Sequence, residues 1–158
     1  MFIFVRALTY ATLFVSLVLV FLPAQVLSWS GAVRPLTIGG LQITGLVAAA
    51  SGALLALWCI LTLVVVGQGT PAPFDPPQRL VVQGPYRVVR NPMYLGAGLA
   101  VAGAALFYQS LPLVGYAGMF WLATHVFVIV YEEPTLRQTF GAEYESYCKQ
   151  VHRWWPRL

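Results

Sequence analysis

Four apolar stretches, residues 3–27, 41–66, 93–108 and 111–131, dominate this chain and restrict what it can become. A helix that crosses a bilayer takes roughly 20 mostly apolar residues, and in lipid the backbone must satisfy its polar groups within the helix. Only 9% of the residues are charged, where soluble chains carry about 25%. The reading is an all-α integral membrane protein of about four transmembrane helices, and at 158 residues it forms one domain, 1–158. The first run is broken at few points, among them Arg6, Thr9, Thr12, Ser16 and Pro23. It is read as a span rather than a cleaved signal peptide, because its apolar part is too long and lacks a small-x-small cleavage site.

The connections between the runs differ in kind. Residues 28–40 form a short loop broken by Gly31, Pro35 and Gly39-Gly40. Within the second run Gly45, Ala49, Gly52, Ala53 and Ala56 recur three or four apart, a pattern that lets another helix approach closely. Residues 67–92 are the longest polar interval, and Pro71, Pro73, Pro76, Pro77 and Pro85 forbid a regular helix there. Loops of this length in compact proteins are more often functional than idle. Gln109-Ser110 joins the last two runs so tightly that they form an antiparallel hairpin. Folding the chain about position 111 sets Gly98 opposite Thr124, Gly96 opposite Val126 and Arg90 opposite Glu132. Beyond Glu132, Leu136, Phe140, Tyr144, Tyr147 and Val151 recur at helical spacing around Gly141. That tail is expected to lie along the membrane surface, with Trp154 and Trp155 at headgroup level.

Charge gives the orientation. Of nine basic residues, Arg6, Arg79, Arg87, Arg90, Arg137, Lys149, Arg153 and Arg157 fall on one side of a four-span chain, leaving Arg34 on the other. The positive-inside rule puts the 67–92 loop, the 132–158 tail and both termini in the cytoplasm. The net charge of +4 forms no basic run, which argues against a nucleic-acid partner. Cys59 and Cys148 make no C-x-x-C pair, so no metal site and no disulfide is signalled.

Chemistry concentrates where the loop meets the hairpin. Glu132-Glu133 ends a span, where the helix dipole disfavours acid, so Arg90, a bound cation, or both should compensate it. Gly96-x-Gly98, set across the hairpin from that pair, would leave room for a ligand. His125 is the one ionisable group well inside a span; it faces either a cavity, near a substrate, or a hydrogen-bonding neighbour on another helix.

The loop, Gln78-Arg79-Leu80-Val81, Gly84-Pro85-Tyr86-Arg87 and Arg90-Asn91-Pro92-Met93-Tyr94-x-Gly96, resembles the isoprenylcysteine carboxyl methyltransferase and phospholipid N-methyltransferase superfamily. So does the tail, with Glu132-Glu133, Leu136, Phe140-Gly141, Glu143-Tyr144, Tyr147, Val151, Arg153 and Pro156. The resemblance covers about residues 71–158. It implies S-adenosylmethionine as cofactor, held by Gln78, Leu80, Val81, Tyr86, Arg90, Asn91, Pro92, Met93, Tyr94, Gly96, Gly98, Glu132 and Glu133. It assigns no general base and no metal. Asn91 stands where the family usually has histidine. Val128 stands where the prenylcysteine enzymes carry a substrate-binding arginine, which argues against a carboxylate-bearing acceptor.

The resulting expectation is methyl transfer from S-adenosylmethionine to a lipophilic small molecule in the bilayer. That chemistry requires alignment and exclusion of water rather than a protein nucleophile. Two other classes suit a loop above a hairpin: a membrane reductase using a nicotinamide cofactor, and a non-enzymatic membrane module.

Overall fold

The computed structural model describes residues 2–31, 35–70 and 77–157. Arg34 and the prolines at 71, 73 and 76 lie outside them. The described residues form α1 (Phe2–Phe14), a π-helical segment (Val15–Phe21), α2 (Leu22–Trp29), α3 (Gly40–Val65), a 3-10 turn (Gly84–Arg87), α4 (Pro92–Tyr108), α5 (Leu111–Phe127), a second π segment (Val128–Glu132), α6 (Glu133–Phe140) and α7 (Ala142–Gln150). Three helical stretches are long and apolar enough to cross a membrane: Leu8–Trp29, Gly40–Val65 and Leu111–Phe140. Pro92–Tyr108 is a shorter apolar helix. The protein is an all-α membrane protein with the expected C-terminal hairpin.

Both π segments have a proline as their cause. Proline offers no N–H and crowds the carbonyl four residues back, and one widened turn relieves that clash. Pro23 follows the first segment and Pro134 the second. In the first, Leu22 N–H already reaches five residues back to the Leu17 carbonyl. The next bond in that pattern would run from Pro23 to Val18, and proline cannot make it. The Tyr116 hydroxyl donates to the Val18 carbonyl instead, at 2.6 Å, fastening α5 to the first helix.

α4 packs chiefly on α3, and the small-residue stripe is the reason. A Cβ on Gly52 would lie 2.5 Å from the Ala100 amide nitrogen and the Gly96 carbonyl oxygen, and one on Gly45 would lie 2.6 Å from the Gly103 carbonyl. The two backbones touch, antiparallel, along Gly45–Gly103 and Gly52–Gly96. This corrects the placement expected for Gly96, which faces α3 rather than the hairpin partner. Residues two apart on an α-helix point about 200° apart, so Gly96 and Gly98 cannot serve the same neighbour. Gly98 alone faces α5, where a Cβ would meet Trp121 at 3.4 Å.

The turn between α4 and α5 is as tight as expected. Gln109 takes a left-handed conformation, φ 49°, and the Ser110 hydroxyl accepts from Leu113 N–H to cap α5, with Pro112 in the first helical turn.

The tail departs from expectation. The helix does not stop at Glu132 but runs on to Phe140, where Gly141, at φ 51°, reverses the chain. α7 then folds back over the loop. Tyr144, Tyr147 and Val151 are buried in one cluster with Leu80, Leu136, Phe140 and Cys148. The apolar face assigned to the membrane surface packs inward, because the irregular 77–91 segment offers an apolar surface of its own. Trp154 is likewise buried rather than interfacial, while Trp155 is 72% exposed.

Candidate functional site

A cavity of about 900 Å³, mouth included, opens where the loop, the start of α4, the end of α5 and α7 converge. Nine of the expected site residues line it: Leu80, Val81, Tyr86, Arg90, Asn91, Met93, Tyr94, Glu132 and Glu133. Each position has a local cause. Gln78 and Arg79 N–H both donate to the Gly67 carbonyl, at 2.9 and 3.2 Å, which turns the loop back and aims Leu80 and Val81 inward. Tyr86 lies on the 3-10 turn that Gly84, at φ 59°, and Pro85 initiate. Pro92 starts α4, where its missing N–H needs no partner.

The two acids divide the work. Glu133 is 3% exposed and takes two hydrogen bonds from Arg153, at 2.6 and 2.9 Å, with Arg90 at 3.2 Å. Two cations therefore hold it ionised as a structural anchor. Glu132 is only half-buried, lines the cavity and accepts from the Tyr94 hydroxyl at 2.9 Å. No cation pairs with Glu132 among the described residues. The π turn matters here, since it sets the facing directions of these adjacent residues at the helix end.

Arg90 crosses the base of the site. Its backbone N–H donates to the His152 carbonyl at 2.9 Å, and its guanidinium contacts Glu133 and the Cys148 thiol. Its Nε is buried, with no hydrogen-bond partner among the described residues. The cavity thus presents one carboxylate, Glu132, without a cation partner among the described residues, beside a guanidinium already engaged by Glu133. That carboxylate suits a ligand group that is cationic or donates hydrogen bonds. Burial pushes the hydroxyls of Tyr86, Tyr144 and Tyr147 above the ordinary tyrosine range, so they stay neutral. Tyr147 donates to the Tyr86 carbonyl at 2.5 Å, fixing loop to tail.

Four expected site residues do not line the cavity. Gln78 contributes through its backbone, Pro92 is buried as the first residue of α4, and Gly96 and Gly98 are spent on helix packing. His125 is not there either. Its Nδ1 accepts from the Trp154 indole at 3.0 Å beside the Trp121 ring, which makes it the fastening point of the tail. Of its two readings, the hydrogen-bonded neighbour is the one observed, though the donor comes from the tail rather than from another span.

Other residues were missed. Arg153, a tail charge within the resembling motif but with no site role in the sequence reading, is the main partner of Glu133; the demand of a buried acid for a cation is the signal that points to it. Tyr144 and Tyr147, on the tail expected along the membrane surface and within the resembling motif, instead line the cavity. Phe127, Tyr131, Thr135 and Leu136 extend the wall along the α5–α6 helix, and Leu63, Thr70 and Pro77 complete the far side. Val128 is fully buried within the second π segment.

The chain matches the phospholipid methyltransferase family over residues 41–143, from the first turn of α3 into α7. It is also 34% identical over 84 residues to a probable protein-S-isoprenylcysteine O-methyltransferase of Oryza sativa subsp. indica, and equally to that of subsp. japonica. Those matches cover 52% of this chain and 44% of each relative, so the chain spans less than half the length of the curated relatives it matches. No solved structure matches it. The family match takes in α3, the loop, the hairpin and the acidic pair, which supply most of the cavity's lining, and the chain belongs to the phospholipid methyltransferase family.

Proposed function

We propose that this protein transfers a methyl group from S-adenosylmethionine to a lipophilic acceptor reached from the bilayer. The observation that carries the reading is Glu132: a cavity carboxylate, oriented by Tyr94 and without a cation partner among the described residues. The cofactor, when bound, supplies a methyl group made electrophilic by the sulfonium that carries it. Glu132 is suited to its cationic or hydroxyl groups, and Arg90, which also lines the cavity, to its carboxylate. Tyr86, Tyr144 and Tyr147 wall the site from water, which strengthens those charged contacts. Leu63, Met93 and Phe127 form an apolar wall beside them, suited to an apolar acceptor. With Val128 buried and no arginine in that segment, the acceptor is one without a carboxylate. The loop, the tail and both termini are assigned to the cytoplasmic side by the distribution of basic residues.

Calorimetry of the purified full chain tests this reading. S-adenosylmethionine should bind, and Glu132→Gln should weaken it by about one to two decades, the effect of losing a charge-assisted contact of roughly 1.5–3 kcal/mol. Unchanged affinity would remove Glu132 from the site. Binding of a nicotinamide dinucleotide instead would replace the reading with a membrane reductase, and binding of neither with a non-enzymatic module. Cysteine-accessibility labelling should find the loop and tail on one side and position 34 on the other.

A further inference from the structure

Outside the cavity, an open surface groove lies between the 3-10 turn and the C-terminal segment, lined by Arg87, Val88, Gln150, Pro156 and Arg157. None of these residues lines the first cavity. Both arginines are exposed, and among the described residues no carboxylate pairs with either. Arg157 spends one N–H on the Lys149 carbonyl, and no acidic residue lines the groove. Its walls are fixed to each other: Tyr147 bonds the Tyr86 carbonyl, Asn91 donates to the Arg153 carbonyl at 3.3 Å, and Arg90 N–H to that of His152. Two exposed arginines thereby rise from chain segments that are fixed to each other and border the same groove, and guanidinium geometry matches phosphate oxygens bidentately.

The surroundings say which phosphate. Val88, in the groove, is 53% exposed, and Trp155, next to Pro156, is 72% exposed. α4, the third apolar helix, begins at Pro92, only four residues after Val88. A tryptophan and an apolar side chain beside two exposed arginines, neither paired with a carboxylate among the described residues, at the mouth of an apolar helix is the pattern of a bilayer interface. We propose that this groove binds the phosphate of an anionic lipid headgroup, with Trp155 and Val88 seated at the acyl boundary. The site is separate from the methyl-transfer cavity and does not depend on that reading.

The test titrates phosphatidylglycerol, with phosphatidylcholine as reference, into the detergent-solubilised full chain and reads retained lipid by native mass spectrometry. Wild type should retain phosphatidylglycerol in preference. Arg87→Gln breaks no side-chain hydrogen bond among the described residues, so it isolates the charge, and it should weaken retention roughly fivefold, the equivalent of about 1 kcal/mol per basic residue at an anionic surface. Adding Arg157→Gln should bring the loss to roughly 25-fold on the same scale. Arg79→Gln makes the same charge change outside the groove and should leave retention unchanged. Equal retention of the two lipids would overturn the proposal, as would an Arg79→Gln loss matching that of Arg87→Gln. Inorganic phosphate binding as tightly as phosphatidylglycerol would overturn it in favour of free phosphate.

Discussion

α4 is held at its two ends by opposite means. Along its length against α3, contact is made by leaving side chains out: Gly96 and Gly103 meet Gly52 and Gly45 backbone to backbone. At its N-terminal end, where it emerges from the loop, contact is made by large charged and aromatic side chains: Arg90 and Arg153 on Glu133, and Tyr94 on Glu132. The first seam is dry and leaves no space between helices. The second cannot close fully, because ions and rings of different lengths bridge elements that diverge, and the cavity is what is left. A helix pair packed through glycine gives a rigid wall; a polar junction on that wall gives a site.

The largest break in this contrast should come from Glu133→Gln. It leaves two arginines facing a neutral amide in a site that is almost fully buried, a loss on the order of 3–5 kcal/mol for a broken buried pair. Denaturation in mild detergent should show it. Glu132→Gln should leave stability close to wild type while weakening cofactor binding. Equal destabilisation by both would make the cavity acid structural.

The dry seam should be nearly as sensitive to volume. Gly52→Ala pushes a methyl group against the α4 backbone and should lose about 1–3 kcal/mol of stability. Gly118, also in a membrane helix, has nothing within 4 Å of where a Cβ would be. Gly118→Ala should therefore shift stability by no more than about 0.5 kcal/mol. Similar losses at both positions would mean that glycine flexibility, and not close approach, is what α3 and α4 require.

The smallest effect belongs to the fastening of the tail. Trp154→Phe keeps a ring against Trp121 but removes the donor to His125, a loss of about 0.5–1.5 kcal/mol in thermal stability. Cofactor affinity should change little, since neither residue lines the cavity. A large fall in affinity with stability intact would place the tail closer to the chemistry than its contacts do.

Much of this protein was open to reading from its residues because its strongest constraints are local. The apolar runs, Pro112 after the capping Ser110, and the prolines that keep 77–91 irregular all act within a few residues of themselves, so α3, α4 and α5 start within one position of where the sequence puts them, while the end of the last span, expected at 131, lies at Phe140. The α3 stripe was legible for the same reason: a helix puts residues three and four apart on one face whatever packs there. The loop and tail motifs gathered at one end because a two-residue turn leaves a hairpin no alternative.

What the sequence could not fix was direction. It placed Gly96 and Gly98 at the depth of the acidic pair, but depth along a hairpin says nothing of rotation about each helix, and α3 claimed the Gly96 face. It found a cation for the acids in Arg90 but not the stronger one, because Arg153 lies 20 residues away beyond a reversal at Gly141. It read the amphipathic tail as facing lipid, since an apolar stripe is the same whether lipid or protein covers it. Only the folded chain decided between them, by supplying Leu80 and Tyr86 as a surface that α7 could cover. Periodicity and length are properties of a segment; the partner of a face is a property of everything else that folds around it.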